Sequence, residues 1–145
     1  MKVNTTRFGE IEIEDEKIIN MQEGVLGFPD SLRFIILSHK EDSPFFWYQS
    51  LDNEGLAFVI ASPFLFKPDY KLDVCSISND MNWPEDVNLD VFVIVTIPKG
   101  RPQDMTANLL GPIVINIDTQ QAAQVIINDP GYTHKYRFME GQEAA

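Results

Sequence analysis

The sequence predicts an all-β, single-domain fold: an antiparallel β-barrel-like sheet with little helix. Three observations carry that expectation. About nine short runs rich in β-branched and aromatic residues are separated by turn signals. Almost no segment shows the 3.6-residue apolar period of an amphipathic helix. Finally, Gly111-Pro112 interrupts what is otherwise one long strand, Met105–Leu110 and Ile113–Ile117, with the kind of bend that curls a sheet into a barrel.

The elements follow in order. Val3–Phe8 and Glu10–Glu14 are separated only by Gly9; in the second piece Ile11 and Ile13 alternate with Glu10, Glu12 and Glu14, giving a half-buried strand with an acidic outer face. Asp15-Glu16 makes a turn and Lys17–Met21 a short strand. The loop from Glu23 to Asp30 has two glycines but lacks the glycine spacing and following helix of a phosphate-binding loop, since the next segment, Leu32–Leu37, is β-rich. Ser43–Tyr70 is the centre of the chain, holding eight of the sixteen aromatic residues in 28 positions. Within it Phe45–Leu51 and Leu56–Ala61 flank Asp52-Asn53-Glu54-Gly55 as a β-hairpin bracketed by Pro44 and Pro63. Phe45, Trp47 and Leu51 point one way and Phe46 and Tyr48 the other, so the first strand is covered on both faces. Such rings contribute gross stabilisation on the order of 10 kcal/mol or more when buried.

Beyond the hairpin, Lys71–Val87 is polar and carries Pro84, with a short helix or turn expected around Asn79–Glu85. Leu89–Ile97 is an unbroken β-branched run, read as a central strand buried on both faces. Pro98–Asp104 turns the chain into the bent strand, Asp118–Gln121 turns it again, and Ala122–Ile127 returns as a strand. Asn128-Asp129-Pro130-Gly131 breaks it. The tail of about 130–145 is expected to be variable, with Tyr132, His134, Tyr136 and Phe138 alternating as an edge strand and Gly141–Ala145 frayed.

A chain of 145 residues suits one domain with a self-sufficient core. With 44% hydrophobic and 23% charged residues it has the composition of a soluble globular protein, and its apolar runs are too short for a membrane-spanning helix. The start, Lys-Val-Asn-Thr-Thr-Arg after Met1, lacks the apolar core of a secretory signal, and one cysteine, Cys75, cannot pair internally; the expected compartment is the cytoplasm. A net charge of −11 and a pI near 4.4 argue against direct nucleic-acid binding and favour a basic partner.

The inventory for catalysis is thin. His39 and His134 stand apart, without zinc-ligand spacing. Cys75 has no basic neighbour in sequence and reads as a buried or inert thiol. Glu10, Glu12 and Glu14 have nothing nearby to separate their pKa values. Asp69 and Asp73 leave a carboxylate enzyme as an alternative. The expectation is no enzyme, no cofactor, no metal and no catalytic residue.

Several ordered blocks resemble the flagellar assembly factor FliW family over most of residues 2–129: Gly9–Ile13, Gly24–Phe28, Ser43–Ser50, Leu56–Phe58, Pro63-Phe64 with Asp69-Tyr70, and Ala107–Asn116. The resemblance implies a small antiparallel β-barrel-like protein without enzymatic activity. It implies a cytoplasmic partner switch that binds newly made flagellin and the translational repressor CsrA, relieving repression of flagellin translation when flagellin is exported. A direct competitor at the RNA site of CsrA is the other reading of the acidic charge. Lys71–Val87 and the tail after Asp129 depart from the family pattern. No short motif marks contact residues, so the partner-binding candidates rest on physics: Phe64, Phe66 and Tyr70 as apolar anchors on a proline-broken loop, and Glu10, Glu12 and Glu14 as electrostatic contacts, on a chain expected to be monomeric.

Overall fold

The computed structural model describes residues 1–38, 43–65, 67–84 and 86–137. His39, Phe66, Phe138 and the segment 141–145 lie outside the described residues. The strands are β1 (Lys2–Thr5), β2 (Gly9–Glu12), β3 (Ile19–Met21), β4 (Arg33–Ser38), β5 (Phe45–Ser50), β6 (Ala57–Ala61), β7 (Leu89–Thr96), β8 (Thr106–Ala107), β9 (Ile113–Asn116) and β10 (Gln121–Gln124), with one α-helix, α1 (Val74–Met81). β1 and β2 form a separate two-stranded hairpin. The other strands run β6-β5-β4-β3-β10-β9-β7, and the pairing of β6 with β7 closes them into a seven-stranded barrel, as expected.

Two details differ from a purely antiparallel barrel with a continuous bent strand. β3 pairs with β10 in parallel, because each follows a turn that leaves it running the same way (Asn20↔Gln121, Met21↔Ala122). The expected long bent strand divides into β8 and β9, which pair antiparallel with opposite ends of β7. Between them the Asn108 carboxamide oxygen accepts from the N–H groups of Leu110 and Gly111, folding the interruption into an Asx turn.

Side-chain alternation fills the interior. Phe34, Tyr48, Ile60, Ile113 and Met21 are buried together, with the half-buried Phe46, Phe92 and Ile94 packed against them. Phe34 and Tyr48 stack face to face, with ring centroids 4.3 Å apart and planes within 3°. Burial pushes the Tyr48 phenol well above its ordinary range. The opposite face of β7 is covered too. Val93 and Val95 pack with Tyr70, Met105, Ala107 and Leu109, while Val91 and Leu89 pack against the cluster of Ile77, Trp83 and Val114. The ends of β7 emerge, with Asp90 and Thr96 exposed.

Other expectations change in detail. The helix spans Val74–Met81 instead of centring on Asn79–Glu85, because Asp73 caps it by accepting from the Ser76 N–H at 3.0 Å and Asn82 ends it in the left-handed conformation. Cys75, expected to be buried or inert, is exposed on its first turn. Asp15–Lys17 forms a 3₁₀ turn, so β3 begins only at Ile19. The expected edge strand in the tail reduces to one antiparallel bridge, in which Ala107 and Tyr136 exchange N–H···O bonds of 2.9 Å. The tail is nonetheless tied down as far as Arg137, whose guanidinium reaches Asp104 at 2.7 Å.

Asp52 pins the start of β4 to the end of β5. Its Oδ2 accepts from the Leu32 and Arg33 N–H groups at 2.8 and 2.9 Å, and its Oδ1 accepts from the Arg33 guanidinium at 3.0 and 3.2 Å. Partial burial works to raise its pKa, but the four donated hydrogen bonds and the Arg33 charge outweigh it and hold the carboxyl below its ordinary value. A depressed folded pKa means that the stabilisation is full above the unfolded value of about 3.9 and is lost as pH falls through the folded value. Asp52→Asn is therefore expected to lower stability near neutral pH by about 1–2 kcal/mol. Denaturant unfolding between pH 7 and pH 2 checks this: the gap between parent and variant should narrow at the acid end.

Candidate partner-binding surface

The register of the β1–β2 hairpin sorts its side chains. Lys2 lies opposite Glu12 and Asn4 opposite Glu10, so the glutamates take the solvent face while Val3 and Ile11 take the other. All three of Glu10, Glu12 and Glu14 are exposed, as an acidic outer face requires. Glu10 lies 3.9 Å from the Lys2 ammonium and Glu12 lies 3.3 Å from the terminal ammonium of Met1. Exposed pairs of this kind are weak and leave the carboxylates available to a stronger partner.

Beyond the hairpin the chain passes one end of the barrel, and the glutamates separate there. Glu12 and Glu14 line a groove of about 530 Å³, whereas Glu10 does not. The apolar wall of the groove includes Ile19, Ile36, Ile115 and Ile117, the last 46% exposed. Its remaining charged residues are Asp90 and Lys17. By the two-residue period Asp90 shares the barrel-facing side of β7 with Phe92 and Ile94, which places its carboxylate at the barrel mouth. Three carboxylates and one ammonium around exposed isoleucine make a surface that attracts a cationic partner at long range and offers it apolar contact at short range. Asp90 was missed from sequence, yet it is the one charge inside the run Leu89–Thr96 and so the visible signal in that strand.

The aromatic candidates part company. Phe64 sits in the 3₁₀ turn Pro63–Leu65, 45% exposed, beside Leu65 at 58%. Tyr70, expected as an exposed anchor, is a core residue at 4% exposure. Its hydroxyl donates to the Leu109 carbonyl at 2.6 Å, and its ring lies 4.8 Å from Tyr132 and meets Phe64 edge-on at 5.9 Å. Burial, with the neighbouring Tyr132 adding to it, pushes the Tyr70 phenol above its ordinary range. The loop is broken by prolines but folds back on the tail, where the Tyr132 hydroxyl accepts from the Lys71 N–H at 2.8 Å. Phe66, the third ring of the set, lies outside the described residues. Phe64 does not line the groove that holds Glu12 and Glu14, so the two groups of candidates do not converge.

The carboxylates considered for catalysis have other roles. Asp73 caps α1, and Asp69 is exposed and paired with the Lys67 ammonium at 3.3 Å. Among the described residues no group of three or more His, Cys, Asp or Glu side chains is arranged to hold a metal ion, and no helix is long and apolar enough to cross a membrane.

Comparison with known proteins identifies relatives along most of the chain. The family model described as "FliW protein" matches residues 2–138, reaching into the docked tail. The flagellar assembly factor FliW of Treponema denticola is 39% identical over 147 residues, covering 100% of this chain and 98% of that one. Its counterparts in Caldanaerobacter subterraneus and Magnetococcus marinus are each 40% identical, covering 97% and 89% of this chain and 94% and 80% of their own. A crystal structure of the flagellar assembly factor FliW superposes with a TM-score of 0.85 at 32% identity, covering 95% of this chain and 96% of that one.

Packing separates the two rings of the proline loop. Tyr70→Ala should cost about 3–5 kcal/mol, as for other large core rings, whereas Phe64→Ala should cost less than about 1 kcal/mol. Thermal and denaturant unfolding of the two variants would show this, and equal losses would put Phe64 in the core as well.

Proposed function

The chain belongs to the FliW family of flagellar assembly factors, and from that premise we propose that it is a cytoplasmic partner switch whose alternating ligands are flagellin and the translational repressor CsrA. While flagellin is abundant it occupies the protein. Once flagellin is exported, the freed protein binds CsrA and translation of flagellin resumes. The observation that favours a repressor as ligand is the gathering of Glu12, Glu14 and Asp90 around Ile117 at the barrel mouth. An RNA-binding repressor must present cationic groups to phosphate, and this mouth complements such a surface. Glu10 extends the acidic face along the hairpin, and Phe64 with Leu65 supplies a separate apolar anchor.

Titration calorimetry of the chain against purified flagellin and purified CsrA tests the switch. Binding of both at micromolar concentration or tighter is expected, each excluding the other. Affinity for CsrA should fall steadily as salt is raised, and Glu12→Lys with Glu14→Lys should weaken it by about tenfold or more, chiefly through slower association. No binding to either partner at micromolar concentration would refute the switch. The dissociation rate of a preformed CsrA–RNA complex then separates two modes of action. Acceleration by added protein means a site beside the RNA site, because a simple competitor leaves the intrinsic off-rate unchanged.

A further inference from the structure

A second groove, of about 640 Å³, lies on another side of the barrel, between the loop after β3, the C-terminal half of α1 and the strand end after β10. Its apolar lining includes Val25, Ile77, Met81 and Val125. Leu26 and Ile126 also line it and are 69% and 58% exposed, among the most exposed large apolar side chains described. The charged residues that line it are both acidic, Glu23 and Asp80.

The backbone at its edge is open as well. The N–H groups of Val125 and Ile127 donate to the Pro112 and Leu110 carbonyls at 2.8 Å, continuing the pairing of β10 with β9 past its regular end. By the alternation of a strand, the N–H and C=O groups of Gln124 and Ile126 point to the other side, toward β3. But β3 ends at Met21, opposite Ala122, and the chain turns away through Gln22 and Glu23. Among the described residues the Ile126 main chain has no hydrogen-bond partner. The walls are fixed in place. The Gln124 side chain accepts from the Leu26 N–H at 2.7 Å and donates to the Gly111 carbonyl at 3.0 Å. Gly24, at φ +67°, lies so close to the Phe28 carbonyl oxygen that a Cβ would sit 2.5 Å from it.

We propose that this groove binds an extended polypeptide segment of a partner protein, which pairs by β-augmentation with the open edge at Gln124–Ile126. Main-chain hydrogen bonds at such an edge supply affinity without sequence preference, and alternate side chains supply specificity. Here one side of the segment carries an apolar residue seated between Leu26 and Met81. Lysine or arginine flanks it, facing Glu23 and Asp80. The chemistry of the occupant follows from the lining: apolar walls, an acidic rim without a basic residue, and a net charge of −11 behind it. This site is distinct from the acidic barrel mouth and depends on neither flagellin nor CsrA.

A random dodecamer library displayed on phage and selected on the immobilised full-length chain tests the proposal. The expected result is enrichment of peptides that alternate apolar residues with lysine or arginine. A synthetic copy of an enriched peptide should slow hydrogen exchange of the Ile126 amide, which main-chain pairing at this edge requires. Leu26→Asp should weaken that peptide by about tenfold or more, and so should Glu23→Lys combined with Asp80→Lys. Glu12→Lys with Glu14→Lys should weaken it far less than either groove variant, which keeps this test separate from that of the barrel mouth. No enrichment over a protein-free surface would overturn the proposal. So would enriched peptides that bind the Leu26→Asp variant as well as the parent and leave Ile126 exchange unaltered. Enriched peptides that are acidic would overturn the assigned chemistry.

Discussion

The pairing of β6 with β7 is the interaction on which the rest of the molecule depends. Val59, Ile60 and Ala61 lie opposite Val95, Ile94 and Val93, and this contact turns an open twisted sheet into a closed one. Closure removes two strand edges that would otherwise offer unpaired N–H and C=O groups to other chains. It also seals the interior around the stacked rings of Phe34 and Tyr48, while the outer face of β7 is free to build further cores with α1 and the tail. One eight-residue strand thus serves three neighbours, pairing with β6, β8 and β9.

A closed barrel has little freedom to change shape, so its candidate surfaces for a partner are what is attached at its ends and sides. The β1–β2 hairpin brings Glu12 and Glu14 to one mouth, where Asp90 emerges from the end of β7. Elsewhere the short length of β3 leaves the end of β10 uncovered, with the loop around Leu26 and the end of α1 forming walls on either side. Both surfaces are acidic with apolar floors, and in the second groove the main chain of Ile126 is also left unpaired among the described residues.

Much of this fold was legible in the residues because strands advertise themselves locally. The Phe45–Ala61 hairpin showed two apolar runs around a glycine-containing turn, and Leu89–Thr96 showed an uninterrupted β-branched run. Gly111-Pro112 marked the interruption between β8 and β9. The placement of α1 was not legible, since Val74–Met81 is rich in serine, asparagine and aspartate and its limits are set by the Asp73 cap and the left-handed Asn82. Nor was the fate of Tyr70. Its near neighbours include Pro68 and two lysines, Lys67 and Lys71, and its burial depends on Leu109 and Tyr132, which lie 39 and 62 positions further along the chain. Likewise the acidic strip was visible as an alternation, but its convergence with Asp90 depends on long-range strand pairing, in which β7 lies against β9 with Asp90 opposite Ile115.

The direct measurement of that convergence is an amide chemical-shift map of the isotope-labelled chain titrated with CsrA. Perturbations concentrated at Glu12, Glu14, Lys17, Asp90 and Ile117, with the amides of Phe34, Tyr48 and Ile60 unmoved, are the predicted result. A map that leaves the barrel mouth silent while CsrA binds would contradict the assignment of this surface to the repressor.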